Sequence, residues 1–189
     1  NRIIFKPMAI SILGIVGSLH TDSLNKKILD AFIARAPEGV EVVTASIDMP
    51  LYSQDKEATM PEEALSLKKK IETADGVIIV TPEYNRSIPG SLKNMIDWVS
   101  RPYGKNSFDG KVVGVAGGTD GLLGTALAQY HLKQILLYLN AILFGQPEFM
   151  ISNTSSKFNE TGVLVDEATI SKIDAFWKTM LDTIDAYKK

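Results

Sequence analysis

The sequence predicts an α/β fold in which a parallel sheet carries helices on both faces. Strand-like and helix-like segments alternate five times along the 189 residues, and the strand-like runs are short and almost continuously apolar. Continuous apolar strands are typical of sheets buried on both faces, and parallel strands need a crossover that is usually a helix. No internal repeat, low-complexity tract or linker interrupts the pattern, so one domain over residues 8–189 is predicted.

The five strands are predicted from runs of branched and apolar residues. The third looks the most buried, because Gly76 is followed directly by Val77-Ile78-Ile79-Val80. The fifth is predicted over 141–144, with 148–151 as a candidate further piece. The other three are predicted at 10–16, 40–47 and 111–116.

The intervening segments have the apolar spacing and the end signals of helices. The first helix is predicted over 23–36, where Pro37 and Gly39 stop it, and the second is opened by Pro61. The third and fourth are predicted over 89–98 and 122–139. The last is capped by Asp166, and its inward-facing residues are predicted to be Ile170, Ile173, Phe176, Met180, Leu181 and Ile184. Residues 48–59 are predicted to be a loop. This alternation fits either a Rossmann-type or a flavodoxin-type strand order.

Composition excludes several classes of function. The net charge is −2 and the longest basic run is Lys68-Lys69-Lys70, so no nucleic-acid surface is predicted. The absence of cysteine rules out disulfides and thiolate metal sites, and two histidines make a histidine metal site improbable. We therefore predict no metal.

The termini and apolar runs suggest a cytoplasmic protein. The apolar runs are far shorter than the roughly 20 residues that cross a bilayer, so no membrane association is expected. The N-terminus lacks the apolar core of a signal peptide. Met8 is a candidate natural start, which would make residues 1–7 an added or native extension.

Three loops that follow strands have unusual composition, and ligands of open α/β sheets bind at this edge. The first loop, 17–25, offers the hydroxyls of Ser18, Thr21 and Ser23 and the amide of Asn25 at a helix N-terminus, which suits a phosphate monoester. A simple N-cap at Ser23 or Thr21 explains the pattern equally well. The loop has neither a P-loop nor a dinucleotide fingerprint.

The second loop, 81–90, is bracketed by Pro82 and Pro89 and is rich in polar and aromatic groups. Its backbone amides and Asn85 can bind the polar edge of a flat heterocycle, Tyr84 offers a stacking face, and Arg86 brings positive charge. A proline-bounded turn explains only the prolines. The third loop has four glycines at 117, 118, 121 and 124, which allow close approach of a ligand or form a tight turn.

Residues 82–98, with Ser100-Arg101-Pro102 after them, closely resemble the signature of the NADPH-dependent FMN reductase family, which includes quinone, chromate and azo-dye reductases. Gly17-Ser18-Leu19 with Ser23 and Asn25 resembles the family's phosphate loop, and the resemblance covers roughly residues 8–151. It implies a flavodoxin-like three-layer fold with a five-stranded parallel sheet in the order 2-1-3-4-5.

The resemblance also implies bound FMN, with NADPH or NADH as co-substrate and quinones, azo dyes, chromate or nitro compounds as acceptors. The implied cofactor-binding residues are Ser18, His20, Ser23, Leu24 and Asn25 around the phosphate, Pro82, Glu83, Tyr84, Asn85, Arg86 and Ser87 along the isoalloxazine, and Gly117 and Gly118 from the third loop. The cofactor carries the chemistry, so no catalytic side chain is nominated, and Tyr84 and Asn85 are expected to shape the acceptor pocket.

The family further implies a homodimer or a tetramer, and the helix predicted at 122–139 supports the dimer because it is apolar on more than one face. Two departures stand out: the family usually has arginine where this chain has His20, and many members have arginine where it has Leu127. The first predicts a weaker grip on phosphate, and the second puts the tetramer in doubt.

Three alternatives remain at this point. The protein could reduce free FMN as a substrate, it could be a flavodoxin-like electron-transfer module, or it could be an interaction protein without cofactor. The preference for NADPH or NADH is open, because no 2′-phosphate site is legible.

Overall fold

Strand β1 (Ile10–Val16) organises the sheet, because β2 (Val40–Ala45) and β3 (Gly76–Val80) pair with it in parallel on its two sides. The structure is a computed structural model that describes residues 9–188. β4 (Val112–Gly118) pairs with β3, and β5 (Ile142–Leu143) pairs with the start of β4. The resulting order, 2-1-3-4-5, confirms the predicted flavodoxin-like topology.

The fifth position of the sheet is shared by two short strands. β5 lies beside Val112 and Val113, whereas β6 (Phe149–Ile151) lies beside Ala116 to Gly118 at the other end of β4. The segment between β5 and β6 contains Gly145 and Pro147, and proline has no N–H to give to a ladder. The candidate piece at 148–151 is therefore a strand, but a separate one.

The helices form one layer on each face of the sheet. α2 (Glu62–Thr73), α3 (Gly90–Val99) and α4 (Ala126–Tyr138) cover one face, where Leu67, Leu92 and Leu132 are buried in one apolar cluster. α1 (Leu24–Ala34) and α5 (Glu167–Tyr187) cover the other face, with Phe32 and Phe176 in contact at 5.0 Å between ring centroids. The three-layer arrangement is thus confirmed.

Several predicted boundaries differ from the structure. Gly117 and Gly118, predicted as loop, are the last residues of β4. The helix predicted from 122 begins at Ala126, because Gly124 and Thr125 have positive φ angles of 56° and 64°. The predicted loop at 48–59 contains a 3₁₀ helix, Gln54–Thr59, and a second 3₁₀ helix spans Thr154–Lys157.

The inward face of α5 is largely as predicted. Ile173, Phe176, Met180 and Ile184 are buried, whereas Ile170 and Leu181 are only partly buried. Trp177, which was not predicted to face inward, is buried, and its Nε1 donates a hydrogen bond to the Phe32 carbonyl at 3.1 Å.

Within residues 9–188, no helix has the length and apolar character needed to span a membrane. Residues 1–7 and Met8, interpreted above as an extension and a candidate start, lie outside the described residues.

Candidate active site

The carboxyl ends of β1, β3 and β4 meet at one edge of the sheet, and the three loops singled out in the sequence leave from them. Pairing continues one residue past each of the first two strands: Gly17 N–H donates to the Val80 carbonyl at 2.8 Å, and Thr81 N–H donates to the Ala116 carbonyl at 2.9 Å. The roots of the loops are therefore fixed by the sheet itself.

A cleft of about 250 Å³ lies at this edge, and we call it the edge cleft. It brings together nine of the thirteen residues predicted to bind the cofactor, and it leaves Asn85, Arg86, Ser87 and Gly117 outside its walls. Its lining consists of Ser18, His20, Asp22, Ser23, Leu24, Asn25, Pro82, Glu83, Tyr84, Gly118 and Thr119. Asp22 and Thr119 were not predicted.

The first loop is folded by local hydrogen bonds. His20 N–H donates to Ser18 Oγ at 3.1 Å, and Asp22 N–H donates to His20 Nδ1 at 3.0 Å, which leaves Nε2 as the ring nitrogen that can donate to a ligand. Ser23 is the N-cap of α1 and accepts from Lys26 N–H at 3.4 Å, so the capping interpretation is correct. The N–H groups of the first helical turn, at Leu24 and Asn25, have no acceptor within the helix and suit an anion.

Asp22 is a charged member of this wall. Its carboxylate pairs with Lys27 at 2.8 Å, and this contact lowers the pKa of Asp22 below its usual range. The negative charge in the first loop is therefore balanced by a lysine of α1.

Asn25 joins the first loop to the third. Its side chain is buried, its Oδ1 accepts from Gly118 N–H at 3.0 Å, and its Nδ2 donates to the Gly118 carbonyl at 3.1 Å. Both polar atoms of the amide are thus occupied by backbone. The geometry supports a positioning role for Asn25 in place of direct contact with phosphate.

The glycines at the end of β4 are required by packing. A Cβ on Gly118 would lie 2.6 Å from Ile28 Cδ1 and 2.6 Å from Thr154 Oγ1. A Cβ on Gly117 would collide with the Thr125 hydroxyl and the Thr81 carbonyl. Gly118 lines the edge cleft, whereas Gly117 is buried within the strand.

The second loop is a tight hairpin. Tyr84 N–H donates to the Ser87 carbonyl at 2.9 Å and Ser87 N–H donates to the Tyr84 carbonyl at 3.0 Å. Between them Asn85 and Arg86 have φ angles of 50° and 65°, the signs found in a type I′ turn. The turn leaves the Tyr84 side chain 52 % exposed at the mouth of the cleft.

Glu83 attaches the second loop to α4. Its side chain is 10 % exposed, its Oε2 accepts from the N–H groups of Leu127 at 3.1 Å and Ala128 at 3.2 Å, and its Oε1 pairs with Arg86 at 3.1 Å. A carboxylate at a helix N-terminus satisfies two N–H groups and opposes the positive end of the helix dipole. Sequence reasoning missed this role, because the partners lie 44 and 45 residues away.

A second attachment lies one turn further along α4. Ser87 Oγ lies 2.7 Å from His131 Nδ1. Of the predicted residues outside the cleft, Ser87 thus holds the loop in place, while Asn85 and Arg86 form its tip. The loop is held at both of its sides.

The third loop is fixed to the segment after β6. Thr119 N–H donates to the Ile151 carbonyl at 2.9 Å, and Thr154 Oγ1 donates to the Thr119 carbonyl at 3.1 Å. The Asp120 carboxylate accepts from Ser155 N–H at 2.7 Å and from Ser155 Oγ at 2.6 Å, which lowers the pKa of Asp120. No motif in the sequence pointed to Asp120, Thr154 or Ser155.

The edge cleft combines two kinds of wall. One consists of hydroxyls and free N–H groups around Ser18, Ser23 and Leu24, which suits a phosphate monoester. The other consists of Pro82 and the exposed ring of Tyr84, which suits a flat heterocycle. The donor set therefore fits a mononucleotide whose base is a flat ring.

Comparison with known proteins agrees with this geometry. The sequence model described as "NADPH-dependent FMN reductase" matches residues 10–156. A 2-hydroxy-1,4-benzoquinone reductase of Burkholderia sp is 43 % identical over 170 residues, which are 89 % of this chain and 93 % of that protein. A quinone reductase of Escherichia coli (strain K12) is 38 % identical over 169 residues, with 87 % and 89 % covered.

A solved structure shows the same fold. The flavoenzyme NAD(P)H:(acceptor) oxidoreductase FerB from Paracoccus denitrificans aligns with a TM-score of 0.87 at 39 % identity, covering 94 % of this chain and 98 % of that one. Fold, loop positions and sequence identity thus agree, and the chain belongs to the NADPH-dependent FMN reductase family.

Proposed function

We propose that this protein is an FMN-containing oxidoreductase that takes electrons from NADPH or NADH and reduces quinones. The observation that carries the proposal is the edge cleft, where phosphate-type donors and an exposed aromatic face meet at the carboxyl edge of a flavodoxin-like sheet. FMN, when bound, supplies the chemistry by which a hydride from NAD(P)H is passed on as two electrons to an acceptor. Because NAD(P)H is available in the cytoplasm, the proposal places the enzyme there.

The residues of the first loop would hold the phosphate of FMN. Ser18 and Ser23 offer hydroxyls, the first turn of α1 offers N–H groups, and His20 offers Nε2–H. A neutral imidazole adds a hydrogen bond but no full charge, so this grip on phosphate is weaker than that of an arginine.

The second loop would line the flavin ring and the acceptor. Pro82 and Tyr84 line the cleft, and Asn85 lies at the tip of the hairpin beside them. The hairpin and its two attachments to α4 hold these groups in one position without ligand, so little order is lost on binding. We propose that Tyr84 and Asn85 shape the acceptor pocket.

The class of acceptor follows from the relatives. The proteins from Burkholderia sp and Escherichia coli are named as quinone reductases, and at 43 % and 38 % identity over most of both chains they support a quinone as acceptor here. Azo dyes, chromate and nitro compounds are further acceptors that an exposed reduced flavin could serve.

We also propose that the protein acts as a homodimer through α4. Leu132 and Leu136 of this helix are buried in the core, whereas Leu127 and Leu137 are exposed on other sides of it. A helix with apolar residues beyond its core face is suited to a second contact, and a two-fold contact between copies is the commonest one. Pairing of such dimers into a tetramer is an additional step. Many members of the family have an arginine at the position of Leu127, and this chain lacks that charge.

The visible absorption spectrum of the purified protein tests the enzymatic proposal. We expect a flavin band that bleaches when NADPH is added without oxygen and returns when a quinone follows. A band that NADPH leaves unchanged would favour an electron-transfer module. Flavin that is reduced only when supplied free and in excess would favour a free-FMN reductase, and no band even after FMN is added would contradict flavin binding.

A further inference from the structure

A second cavity lies next to the edge cleft, at the carboxyl ends of β1 and β2, and we call it the side cavity. Its volume is about 250 Å³, and it is bounded by Ser18, His20, Lys26, Asp30, Thr44 and Ser46. It lies at the same edge of the sheet as the edge cleft, the edge at which ligands of open α/β folds bind. Nothing in the proposed reaction uses it.

The two cavities share one wall. Ser18 and His20 line both of them, so the first loop stands between the two spaces. This is the loop whose hydroxyls and N–H groups suit the phosphate of the flavin nucleotide. A phosphate held there has the edge cleft on one side and the side cavity on the other.

The side cavity has the chemistry of a nucleotide site. Its apolar lining comes from Val16, Leu29 and Ala45, which offer a surface to a flat base. On the inner side Leu29 packs directly against Gly14, where a Cβ would lie 2.9 Å from Leu29 Cδ1. Apolar walls with a few convergent polar groups are the usual composition of a small-molecule pocket.

The polar groups match a phosphate and a ribose. Lys26 Nζ and the Asp30 carboxylate form an ion pair at 2.7 Å, and both side chains remain more than half exposed. An ammonium can bind a second phosphate, and a carboxylate can accept hydrogen bonds from ribose hydroxyls, as acidic residues do in dinucleotide-binding sites. Thr44 and Ser46 add hydroxyls at the end of β2.

We propose that the side cavity receives the adenylate half of FAD, whose flavin half and first phosphate occupy the edge cleft and the first loop. In FAD the phosphate of the flavin nucleotide carries the adenylate, so the chain must leave the first loop, and the side cavity begins there. The inference rests on the proposed function, because it takes the flavin phosphate to lie at the first loop. It extends the cofactor class of the protein from mononucleotide to dinucleotide flavins.

The adenylate of NAD(P)H has the same chemistry and is the other source to distinguish. The adenylate of FAD is bonded to the phosphate at the shared wall, whereas the adenylate of NAD(P)H would have to reach the side cavity from outside the first loop. The side cavity is therefore assigned to FAD, and steady-state kinetics of the FMN-loaded enzyme distinguish the two sources.

The test is calorimetric titration of the flavin-free protein with FMN and with FAD, in the native chain and in Thr44→Trp. Tryptophan is tolerated in strands and would fill the side cavity. We expect the native chain to bind both flavins with dissociation constants within about tenfold of each other. Thr44→Trp should raise the dissociation constant for FAD at least tenfold and change that for FMN less than twofold. The KM for NADPH of the FMN-loaded enzyme should stay unchanged.

Val43→Trp is the matched control, because neighbouring residues of a strand point to opposite faces of the sheet. Val43→Trp should change the affinity for neither flavin. If Thr44→Trp does not fold, Thr44→Leu fills the side cavity with a smaller side chain. FMN binding without FAD binding in the native chain, or equal loss of both flavins in a folded Thr44 variant, would overturn the inference and leave the proposed function standing. A raised KM for NADPH with unchanged FAD affinity would assign the cavity to the pyridine nucleotide instead. Failure to bind either flavin would contradict the proposed function itself.

Discussion

Asn25 and Gly118 are joined by a pair of hydrogen bonds in which one side-chain amide binds both polar atoms of one residue's backbone. The distances are 3.0 Å to the Gly118 N–H and 3.1 Å to its carbonyl, and the two residues are 93 positions apart in the chain. The Asn25 side chain is 3 % exposed. The contact sets the position of the α1 N-terminus relative to the end of β4, and therefore the width of the edge cleft.

Replacing Asn25 by alanine should destabilise the protein and weaken FMN binding together. The change leaves two buried backbone groups without partners, at a cost of about 1–3 kcal/mol for each group that stays unsatisfied. Urea denaturation and titration with FMN measure the two effects. Asn25→Asp should be at least as harmful, since a carboxylate cannot donate to the Gly118 carbonyl, and a stable, FMN-binding Asn25→Asp would argue against this role.

Replacing Glu83 by glutamine should lower stability and loosen the second loop. Glutamine keeps the shape of the side chain but loses the charge that faces the N-terminus of α4, and loss of such a capping interaction costs about 0.5–2 kcal/mol. The midpoint of urea denaturation checks the stability, and hydrogen exchange at the amides of Leu127 and Ala128 reports the contact directly.

Arg86→Ala is the matched control for the Glu83 variant. The Arg86 side chain is 69 % exposed, and exposed ion pairs contribute about 0–1 kcal/mol. Equal losses in the two variants would mean that the Glu83–Arg86 pair matters and the cap on α4 does not.

Replacing His20 by arginine should tighten FMN binding. A permanent positive charge at the first loop adds a charge-assisted hydrogen bond to phosphate, and we expect a roughly three- to tenfold lower dissociation constant, or about 0.7–1.4 kcal/mol. Titration with FMN at low and high salt checks that the gain in affinity is electrostatic, because that gain should shrink as salt screens the charge. His20→Gln is the neutral control. The same FMN affinity in the native chain, His20→Arg and His20→Gln would refute the hypothesis that His20 binds the phosphate more weakly than an arginine.

The contact between Asp120 and Ser155 predicts a dependence of stability on pH. The hydrogen bonds from Ser155 lower the pKa of Asp120 in the folded state, so the stabilisation is fully present above the ordinary carboxyl pKa of about 4 and is lost as the pH falls through the folded-state value. Denaturation of the native chain and of Asp120→Asn across acidic pH measures it. The stability difference between the two should be largest near neutrality and shrink in acid; a constant difference would contradict the assignment.

Replacing Leu123 by glutamate should dissociate the proposed dimer. The side chain is 46 % exposed just before α4, and a charge there would be desolvated by the partner. Light scattering after gel filtration gives the mass. Leu65→Glu, at a site on α2 that is 53 % exposed, is the control and should leave the mass unchanged; a native chain that is monomeric at all concentrations would exclude the dimer.

The sequence is most informative where a segment is buried on every side. The bounds of β1 and β3 agree with the prediction, since β3 is an unbroken apolar run between Asp75 and Thr81 and β1 is apolar except for Ser11. The end of β4 was predicted two residues too early, because glycine is a poor strand former. The packing of Thr154 and Thr125 against Gly118 and Gly117 explains why glycines stand there.

The sequence indicates which loops carry the site residues, but not always what each residue does. Nine of the thirteen lie around the edge cleft, since loops that follow parallel strands meet at one edge. The partners of Asn25 and Glu83 are backbone groups in distant elements, and a backbone group leaves no signal in the sequence. The contacts that fix the third loop were missed in the same way, because Asp120 is held by residues beyond β6.

Under the proposed role of the second loop in shaping the acceptor pocket, the type I′ turn at its tip limits how the choice of acceptor can change. Its two central residues, Asn85 and Arg86, both have positive φ, and a single inserted or deleted residue would break the pairing of Tyr84 with Ser87. Asparagine, aspartate and glycine adopt that conformation readily, whereas branched residues do not. A laboratory search for new acceptors should therefore keep the length of the hairpin and vary position 85 among these small residues. Larger diversity belongs at Tyr84, which lies outside the two positive-φ positions and lines the cleft.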